Sequence, residues 1–172
     1  MRAEVFWITA LLVGRLAIMP RPCAGEWLHD EIVGWRTEGI DTVVSLLEPT
    51  EILELGLERE AELSRVHGME FISFPISDRG LPASLRDATV LAKSVALQIR
   101  DGRAVAIHCR AGIGRSSLVA AGVLICSGVT AEDALRLITA ARGIDVPDTE
   151  AQREWVMALD RSPDGNATSS RK

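Results

Sequence analysis

Five residues separate a cysteine from an arginine in HCRAGIGRS, residues 108–116. The apolar residues 104–107 before this stretch predict a buried strand, and residues 116–125 after it predict a helix. A loop that joins a strand to a helix N-terminus turns backbone amides toward its centre, where the amides and the helix dipole favour negative charge. The same field favours the thiolate form of a cysteine. We therefore predict that Cys109 is a nucleophile at the centre of an anion-binding loop.

The residue types within this loop fit a tetrahedral dianion such as phosphate. The five intervening residues let the backbone curl once around the anion, and the planar fork of Arg115 then binds two of its oxygens. Glycine at positions 112 and 114 allows the backbone to approach the anion closely. The predicted anion-binding residues are Arg110, Ala111, Gly112, Ile113, Gly114, Arg115 and Ser116.

Two neighbours of Cys109 are expected to support it. Ser116 is placed to donate a hydrogen bond to the sulfur, which would stabilise the thiolate both as nucleophile and as leaving group. His108 faces away from the pocket if the strand alternates, and we expect it to fix the loop through backbone hydrogen bonds. The alternative is a buried structural cysteine in a helix-initiating turn. The cysteine, the arginine, both glycines and the serine together favour the anion site.

HCRAGIGRS resembles the signature loop of the cysteine-dependent protein tyrosine and dual-specificity phosphatases. Upstream, FISFPISDRGLPAS (71–84) is similar to the strand and acid loop of that family, which implies that Asp78 is the general acid. Downstream, VPDTEAQREW (146–155) resembles the segment in which small members carry a glutamine that positions the hydrolytic water, here Gln152. The resemblance to compact prokaryotic members extends over residues 5–160.

This resemblance implies that the chain hydrolyses phosphate monoesters. Cys109 would attack phosphorus, Arg115 and the loop amides would hold the oxygens, and Asp78 would protonate the leaving group and later activate water. No metal or cofactor is expected, because Arg115 and the loop dipoles stabilise the charge. His29 and His67 have no partner at metal-ligand spacing. Taken alone, Ser-Asp-Arg-Gly is also an ordinary turn sequence, and a surface glutamine on a helix needs no special role.

The substrate class is the open part of this prediction. The chain has no long phosphotyrosine-recognition insert, so we expect a phosphoprotein or phosphopeptide partner, with phosphoserine or phosphothreonine accepted beside phosphotyrosine. The alternative is a phosphoinositide or inositol-phosphate phosphatase, but such relatives usually carry a second basic residue where this chain has Ile113. A sulfurtransferase would not need Asp78. Intact Cys109, Arg115 and Asp78 argue against an idle phosphate-binding module.

Composition and charge limit the class of protein to which the chain can belong. At 172 residues the chain can bury one core, and we predict a phosphatase domain at 1–161 followed by a disordered tail at 162–172. The formal net charge of −5 argues against nucleic acid as a partner and against stable association with a membrane. Three cysteines without disulfide-like spacing favour a reducing compartment, the cytoplasm. They leave open whether Cys23 or Cys126 pairs with Cys109 on oxidation.

Strands and helices alternate along the chain, which predicts an α/β single domain with a central, mainly parallel sheet flanked by helices on both faces. The phosphate-binding loop would lie between one strand and one helix of this fold. The apolar N-terminus fits either a signal peptide or two strands, 5–8 and 15–19, and we favour the strands.

The elements of this fold position the remaining candidate side chains. The strand at 70–76 ends just before Asp78, and ligands bind past the carboxyl ends of parallel strands, so we expect Asp78 to lie beside Cys109. Thr50 is a candidate N-cap, and the acidic cluster Glu51–Glu62 after it is expected to form a solvated helix face. The candidate N-caps of the later helices are Ser84, Thr130 and Thr149.

Overall fold

Five strands form one sheet in the computed structural model, which describes residues 4–10 and 13–160. They are β1 (Phe6–Ile8), β2 (Arg15–Met19), β3 (Thr42–Ser45), β4 (Glu70–Ser73) and β5 (Ala104–His108). Their order is β1-β2-β5-β3-β4, in which β1 pairs antiparallel with β2 and the other pairs are parallel. The prediction of a mainly parallel sheet that begins with two N-terminal strands is confirmed.

Seven helices accompany this sheet within the described residues. They are α1 (Trp27–Thr37), α2 (Pro49–Glu54), α3 (Glu60–Val66), α4 (Leu85–Arg100), α5 (Arg115–Cys126), α6 (Ala131–Arg142) and α7 (Glu150–Asp160). Three of them begin at predicted caps, because a side-chain oxygen there accepts a backbone N–H three residues further along the chain. The capping residues are Ser84 for α4, Thr130 for α6 and Thr149 for α7.

Alternating side chains divide the core into two apolar layers, one on each face of the sheet. In β2, Ile18 packs into the layer formed with α4 to α7, whereas Met19 packs into the layer formed with α1 and α3. Helices therefore cover both faces, as predicted. The same alternation at the end of β5 sends Cys109 into the first layer and His108 toward Trp35 in the second.

Two predictions about the segment after β3 are wrong. Glu48, and not Thr50, is the N-cap of α2, because Pro49 occupies the first helical position. The acidic cluster is not solvated throughout, because Glu51 and Glu60 are buried against basic side chains of the interior. One of these two carboxylates belongs to the candidate site.

The predicted tail at 162–172, together with the boundary at residue 161, lies outside the described residues. Across the part of the chain that the structure does describe, no helix combines the length and the apolar character that crossing a membrane requires.

Candidate active site

The carboxyl ends of the four parallel strands meet at one edge of the sheet, where a cavity of about 240 Å³ is lined by residues that follow β4 and β5 and by Asp148, just before α7. The loop after β5 carries Cys109, and the turn after β4 carries Asp78. The chain after β3 enters α2 with Glu51, and the chain after β2 packs against the loop. Both Asp78 and Cys109 line the cavity, so the topology brings the predicted nucleophile and the predicted acid together.

Cys109 is almost fully buried, with 3% of its surface exposed. Ser116 Oγ lies 3.6 Å from the Cys109 sulfur, within hydrogen-bonding distance of a thiolate. Of the other predicted loop residues, Arg110, Ala111, Ile113, Gly114 and Arg115 line the cavity. The predicted loop therefore surrounds the sulfur on several sides.

Two glycines let the loop pack tightly against its surroundings. Gly112 has a φ of 66°, and a Cβ at this position would lie 2.6 Å from the carbonyl carbon and oxygen of Met19. A Cβ on Gly114 would lie 2.9 Å from Gln152 Oε1. At Gly112 the obstacle is backbone, so only glycine fits there, whereas a side chain at Gly114 would have to displace the side chains of Gln152 and Asp148.

Arg115 begins α5, and its side chain is 1% exposed. Nη1 donates to Glu51 Oε2 at 2.6 Å and to the carbonyl oxygen of Ile76 at 2.9 Å. Nη2 donates to Glu51 Oε1 and to Asp78 Oδ1, each at 3.0 Å. Among the described residues, Nε has no hydrogen-bond partner. An anion can therefore bind Nε and, by exchange with Asp78, Nη2.

Glu51 is a site residue that the sequence reasoning missed. Burial alone would raise the pKa of its carboxyl, but the hydrogen bonds from Arg115 and from the Glu48 N–H, with the charges of Arg115 and Arg110, hold that pKa below its ordinary value. Burial would likewise lower the pKa of Arg115, and the bond to Glu51 with the charges of Cys109, Glu51 and Asp78 raises it instead. Both groups therefore stay ionised.

A local signal could have located Glu51. It stands three residues after the N-cap, where a glutamate side chain turns back toward the start of the helix. Here Glu51 Oε2 accepts the Glu48 N–H at 3.0 Å. This position turns the carboxylate away from solvent and toward Arg115.

Asp78 lies at the mouth of the cavity, with 56% of its side chain exposed. Its Oδ1 accepts from Arg115 Nη2 at 3.0 Å and from the Arg79 N–H at 3.1 Å. Gly80 N donates to the carbonyl oxygen of Ser77 at 2.8 Å, and Arg79 has a φ of 55°, so this segment is a tight turn. The turn interpretation of the sequence is therefore confirmed, and the turn aims the Asp78 carboxylate at Arg115. The acid role stays a prediction.

Gln152 is fully buried, so its interpretation as a surface glutamine is wrong. Its Oε1 accepts the backbone N–H of Asp148 at 3.1 Å and that of Thr149 at 3.2 Å. Its Nε2 donates to the carbonyl oxygen of Gly80 at 3.1 Å. The side chain therefore joins the start of α7 to the turn that carries Asp78.

The predicted role of His108 needs a correction. The ring faces away from the cavity, as strand alternation predicts, but neither ring nitrogen has a hydrogen-bond partner within residues 4–10 and 13–160. Nε2 lies 2.7 Å from Glu60 Oε1, so the ring pairs with a buried carboxylate and not with the loop. The imidazole cannot bond to the loop backbone because β5 directs it into the opposite layer of the core.

Arg142, the last residue of α6, is a second residue that the sequence reasoning missed. Its Nε donates to the carbonyl oxygen of Gly112 at 3.0 Å, and its Nη2 donates to that of Ala111 at 3.3 Å. The guanidinium carbon lies 4.2 Å from the ring centroid of Phe6. In a planar trans peptide the C=O and N–H point in opposite directions, so holding these carbonyls outward directs the amides of residues 112 and 113 inward.

The other two thiols differ from Cys109 in position and environment. Burial raises the pKa of Cys126, and burial with the neighbouring Glu31 carboxylate raises that of Cys23. Both are therefore poorer nucleophiles than an ordinary thiol. Within the described residues, no group of three or more His, Cys, Asp and Glu side chains is arranged to hold a metal ion.

Comparison with known protein families identifies the chain over most of its length. The family that matches residues 18–129 is described as "Polymorphic toxin system, DSP-PTPase phosphatase". The protein tyrosine phosphatase domain-containing protein 1 of Bos taurus is 32% identical over 117 residues, which are 63% of this chain and 14% of the relative. The chain thus spans about one seventh of the length of that relative.

Solved structures share the fold over nearly the whole chain. The kinase associated phosphatase, with its catalytic cysteine replaced by serine, superposes with a TM-score of 0.85 at 18% identity, covering 94% of this chain and 96% of that one. Tk-PTP in its active form superposes with a TM-score of 0.74 at 27% identity, covering 94% of this chain and 99% of that one. PTPMT1 in complex with PI(5)P gives 0.71 at 17% identity, covering 91% and 95%.

The matched family segment contains the turn with Asp78, the loop with Cys109 and Arg115, and three of the four parallel strands in full. The fold of tyrosine and dual-specificity phosphatases accounts for the sheet that brings these residues to one edge. On both grounds, the chain belongs to the DSP-PTPase phosphatase family of polymorphic toxin systems, within the cysteine-dependent tyrosine and dual-specificity phosphatases.

Proposed function

We propose that this chain is a cysteine-dependent phosphatase that hydrolyses phosphate monoesters of proteins through a phosphocysteine intermediate. The observation that carries the proposal is the fixed guanidinium of Arg115, which lies in one site with Cys109 and Asp78. Its Nε has no partner in the described part of the chain, and its Nη2 can exchange the Asp78 carboxylate for an anion. A nucleophile, an anion clamp and a proton donor are the parts that metal-independent phosphoryl transfer requires.

In the first proposed step, a phosphate oxygen replaces Asp78 Oδ1 as the partner of Arg115 Nη2, and a second oxygen binds Nε. The Cys109 thiolate attacks phosphorus while the bond between phosphorus and the leaving oxygen breaks. Asp78, released from Arg115 and protonated, gives its proton to the leaving oxygen. The inward amides of the loop stabilise the charge on the phosphoryl oxygens.

In the second step, water attacks the phosphocysteine and gives a proton to Asp78, and the bond between sulfur and phosphorus breaks. Ser116 donates a hydrogen bond to the departing thiolate, for which its distance of 3.6 Å is suitable. Gln152 keeps one Nε2 hydrogen beyond its bond to Gly80, and we propose that this hydrogen orients the water. Inorganic phosphate then leaves and Asp78 returns to Arg115.

The proposed substrate is a phosphoprotein or phosphopeptide that carries phosphotyrosine or phosphoserine and phosphothreonine. The cavity walls are charged or aliphatic side chains, which support a phosphate without selecting an aromatic ring. The second candidate is a phosphoinositide, supported by the shared fold of PTPMT1 in complex with PI(5)P. The neutral side chain of Ile113 in the cavity wall favours the protein substrate. The three free cysteines support a reducing compartment, and we propose the cytoplasm.

Phosphate release from aryl phosphates tests the chemistry. Cys109→Ser should show no turnover while still binding vanadate, because the hydroxyl is a far weaker nucleophile in an intact loop. Asp78→Asn should lose about 100-fold or more in kcat/KM with phenyl phosphate but about tenfold or less with p-nitrophenyl phosphate, whose leaving group needs little protonation. Full activity of Cys109→Ser would exclude the phosphocysteine. Equal losses for both substrates would exclude Asp78 as the acid.

A substrate panel tests the second part of the proposal. Wild-type protein is assayed with phosphotyrosine, phosphoserine and phosphothreonine peptides and with phosphoinositides in vesicles. Higher kcat/KM for the peptides supports the phosphoprotein assignment, and higher kcat/KM for the lipids replaces it with the second candidate. Cys109→Ser, assayed with every substrate, measures the activity of any contaminating phosphatase, which is then subtracted.

A further inference from the structure

Gln152 makes more bonds than the start of a helix requires. Its backbone N–H donates to Thr149 Oγ1 at 3.2 Å, and its Oε1 accepts the Thr149 N–H at 3.2 Å. These reciprocal bonds form a capping box, a local device that needs a side-chain acceptor three residues after a threonine. Glutamate or glutamine satisfies that need equally well.

The bond from Nε2 of Gln152 to the Gly80 carbonyl oxygen is not part of the capping box. It spans 72 positions of sequence, and its donor belongs to a fully buried side chain, so losing the bond would leave Nε2 without a partner where water has little access. An ionised glutamate in this place would complete the box but could not donate to a carbonyl. The amide is therefore specific to the contact with the turn that carries Asp78.

That turn has few other buried attachments to the loop or to α7. The carboxyl of Asp78 contacts Arg115, but this contact is exchanged when an anion binds. Arg79 Nε lies 3.5 Å from Asp148 Oδ2, and with side chains 66% and 39% exposed this ion pair contributes little. The bond from Gln152 to Gly80 does not involve the Asp78 carboxyl, so it persists after substrate has displaced that carboxyl from Arg115, as does the exposed bond from Ser77 Oγ to Glu48 Oε1 at 3.1 Å.

We propose that Gln152 is a positioning residue for the general acid: by holding Gly80, it keeps Asp78 at the cavity mouth while Arg115 binds the substrate. This inference deepens the proposed function and rests on it, because it requires Asp78 to be the acid. It differs from water orientation, which acts after the leaving group has gone. Loss of acid positioning would slow departure of the leaving group, whereas loss of water orientation would slow hydrolysis of the phosphocysteine.

Gln152→Glu is the matched substitution, because it keeps the capping acceptor and removes the donor to Gly80. We expect kcat/KM to fall about tenfold with phenyl phosphate and less than threefold with p-nitrophenyl phosphate, since a misplaced acid matters most for a poor leaving group. Gln152→Met removes the donor without burying a charge and also removes the capping acceptor, so it serves as a second variant, compared with a variant that weakens the capping box alone, if the glutamate disturbs folding. Thermal unfolding confirms that each variant is folded.

Thr149→Ala is the control, because it removes half of the capping box and leaves the bond to Gly80 in place. It should lose thermal stability while its ratio of kcat/KM for the two substrates stays at the wild-type value. If Thr149→Ala changes the ratio of kcat/KM for the two substrates as much as the Gln152 variants do, the helix start, and not the bond to Gly80, controls the position of the acid. That result overturns the proposal.

A double variant separates positioning from other effects. Adding Gln152→Glu to Asp78→Asn should cost no further kcat/KM with phenyl phosphate, because the acid to be positioned is already gone. An additive loss overturns the proposal. It is also overturned if Gln152→Glu keeps the wild-type kcat/KM for phenyl phosphate and shows only a burst of p-nitrophenol, which marks slow hydrolysis of the intermediate. If Asp78→Asn itself has no leaving-group dependence, the proposed function has failed, and not the contact with Gly80 alone.

Discussion

The anion-binding role proposed for Arg115 requires a side chain that is buried and still keeps a free donor, and different atoms of one guanidinium fit these two requirements. Four of its N–H groups are held by Glu51, by the Ile76 carbonyl and by Asp78, while Nε has no partner among the described residues. A buried cation is stable only when an anion and hydrogen bonds replace its water. Glu51 supplies the anion with two bonds, so it fixes the orientation of the guanidinium.

Glu51→Ala should therefore lower the free energy of unfolding by about 3–5 kcal/mol, the usual cost of leaving one member of a buried ion pair alone. It should also lower kcat/KM by on the order of tenfold or more, because Arg115 is no longer held in the productive geometry. Glu51→Gln keeps one acceptor and should lose less on both measures. Urea denaturation and p-nitrophenyl phosphate kinetics check both.

Glu54 provides the control for these variants. It lies exposed on the same short helix, so Glu54→Gln should match wild type in stability and kinetics. A Glu51→Ala protein as stable and active as Glu54→Gln would contradict the role assigned to the buried pair.

Helix α6 contributes to the site although none of its side chains lines the cavity. Its last residue, Arg142, bonds to the carbonyl oxygens of Ala111 and Gly112 from outside the loop. Phe6 of β1 lies against the guanidinium and limits its movement. Strand β1 and helix α6 thus set the direction of the loop amides from outside the loop, on the side away from the cavity.

Arg142→Met should raise the Kd for vanadate about tenfold, because two charge-assisted hydrogen bonds that orient the loop are lost while the aliphatic stem is kept. Arg142→Lys should fall between this variant and wild type, since lysine cannot reach both carbonyls with a planar fork. Equilibrium inhibition by vanadate provides the measurement.

Arg136→Met is the matched control on the same helix. Its side chain is 72% exposed and pairs with Asp133, away from the loop carbonyls. A similar rise in Kd for both methionine variants would show that net charge, and not loop geometry, determines anion affinity.

Over the whole molecule, buried or bonded carboxylates tie the sheet together at both edges. At the edge opposite the site, the Asp41 carboxylate accepts the Ala104 N–H and an Arg36 N–H, each at 2.9 Å, and so joins the starts of β3 and β5. Burial alone would raise the pKa of Asp41, but these bonds and the charges of Arg36 and Arg103 hold it below its ordinary value. Glu51 has the same direction of pKa shift at the other edge.

Acid should therefore destabilise the fold. A carboxyl whose pKa is lower in the folded state stabilises it fully above the ordinary pKa, here 3.8 for Asp41 and 4.5 for Glu51, and loses that contribution as pH falls through the folded-state value. The free energy of unfolding should decline below about pH 4.5. Urea denaturation between pH 7 and pH 3, on wild type and on Asp41→Asn with Glu51→Gln, measures the change.

The double variant should show a flatter dependence on pH, because two of the groups responsible can no longer titrate. Parallel curves for the two proteins would mean that other groups cause the acid sensitivity.

The sequence by itself was sufficient to predict the parallel sheet and a loop after β5 that holds both Cys109 and Arg115. These features depend on periodicity and on spacing over a few residues. Asp78 needed the family resemblance as well, since its turn is common. The tertiary structure decided which side chains hold these groups. Arg115 meets Glu51 across 64 positions, Gln152 meets Gly80 across 72, and Arg142 meets Gly112 across 30. Local patterns carry no record of such distances, because only the packing of the sheet and helices brings the partners together.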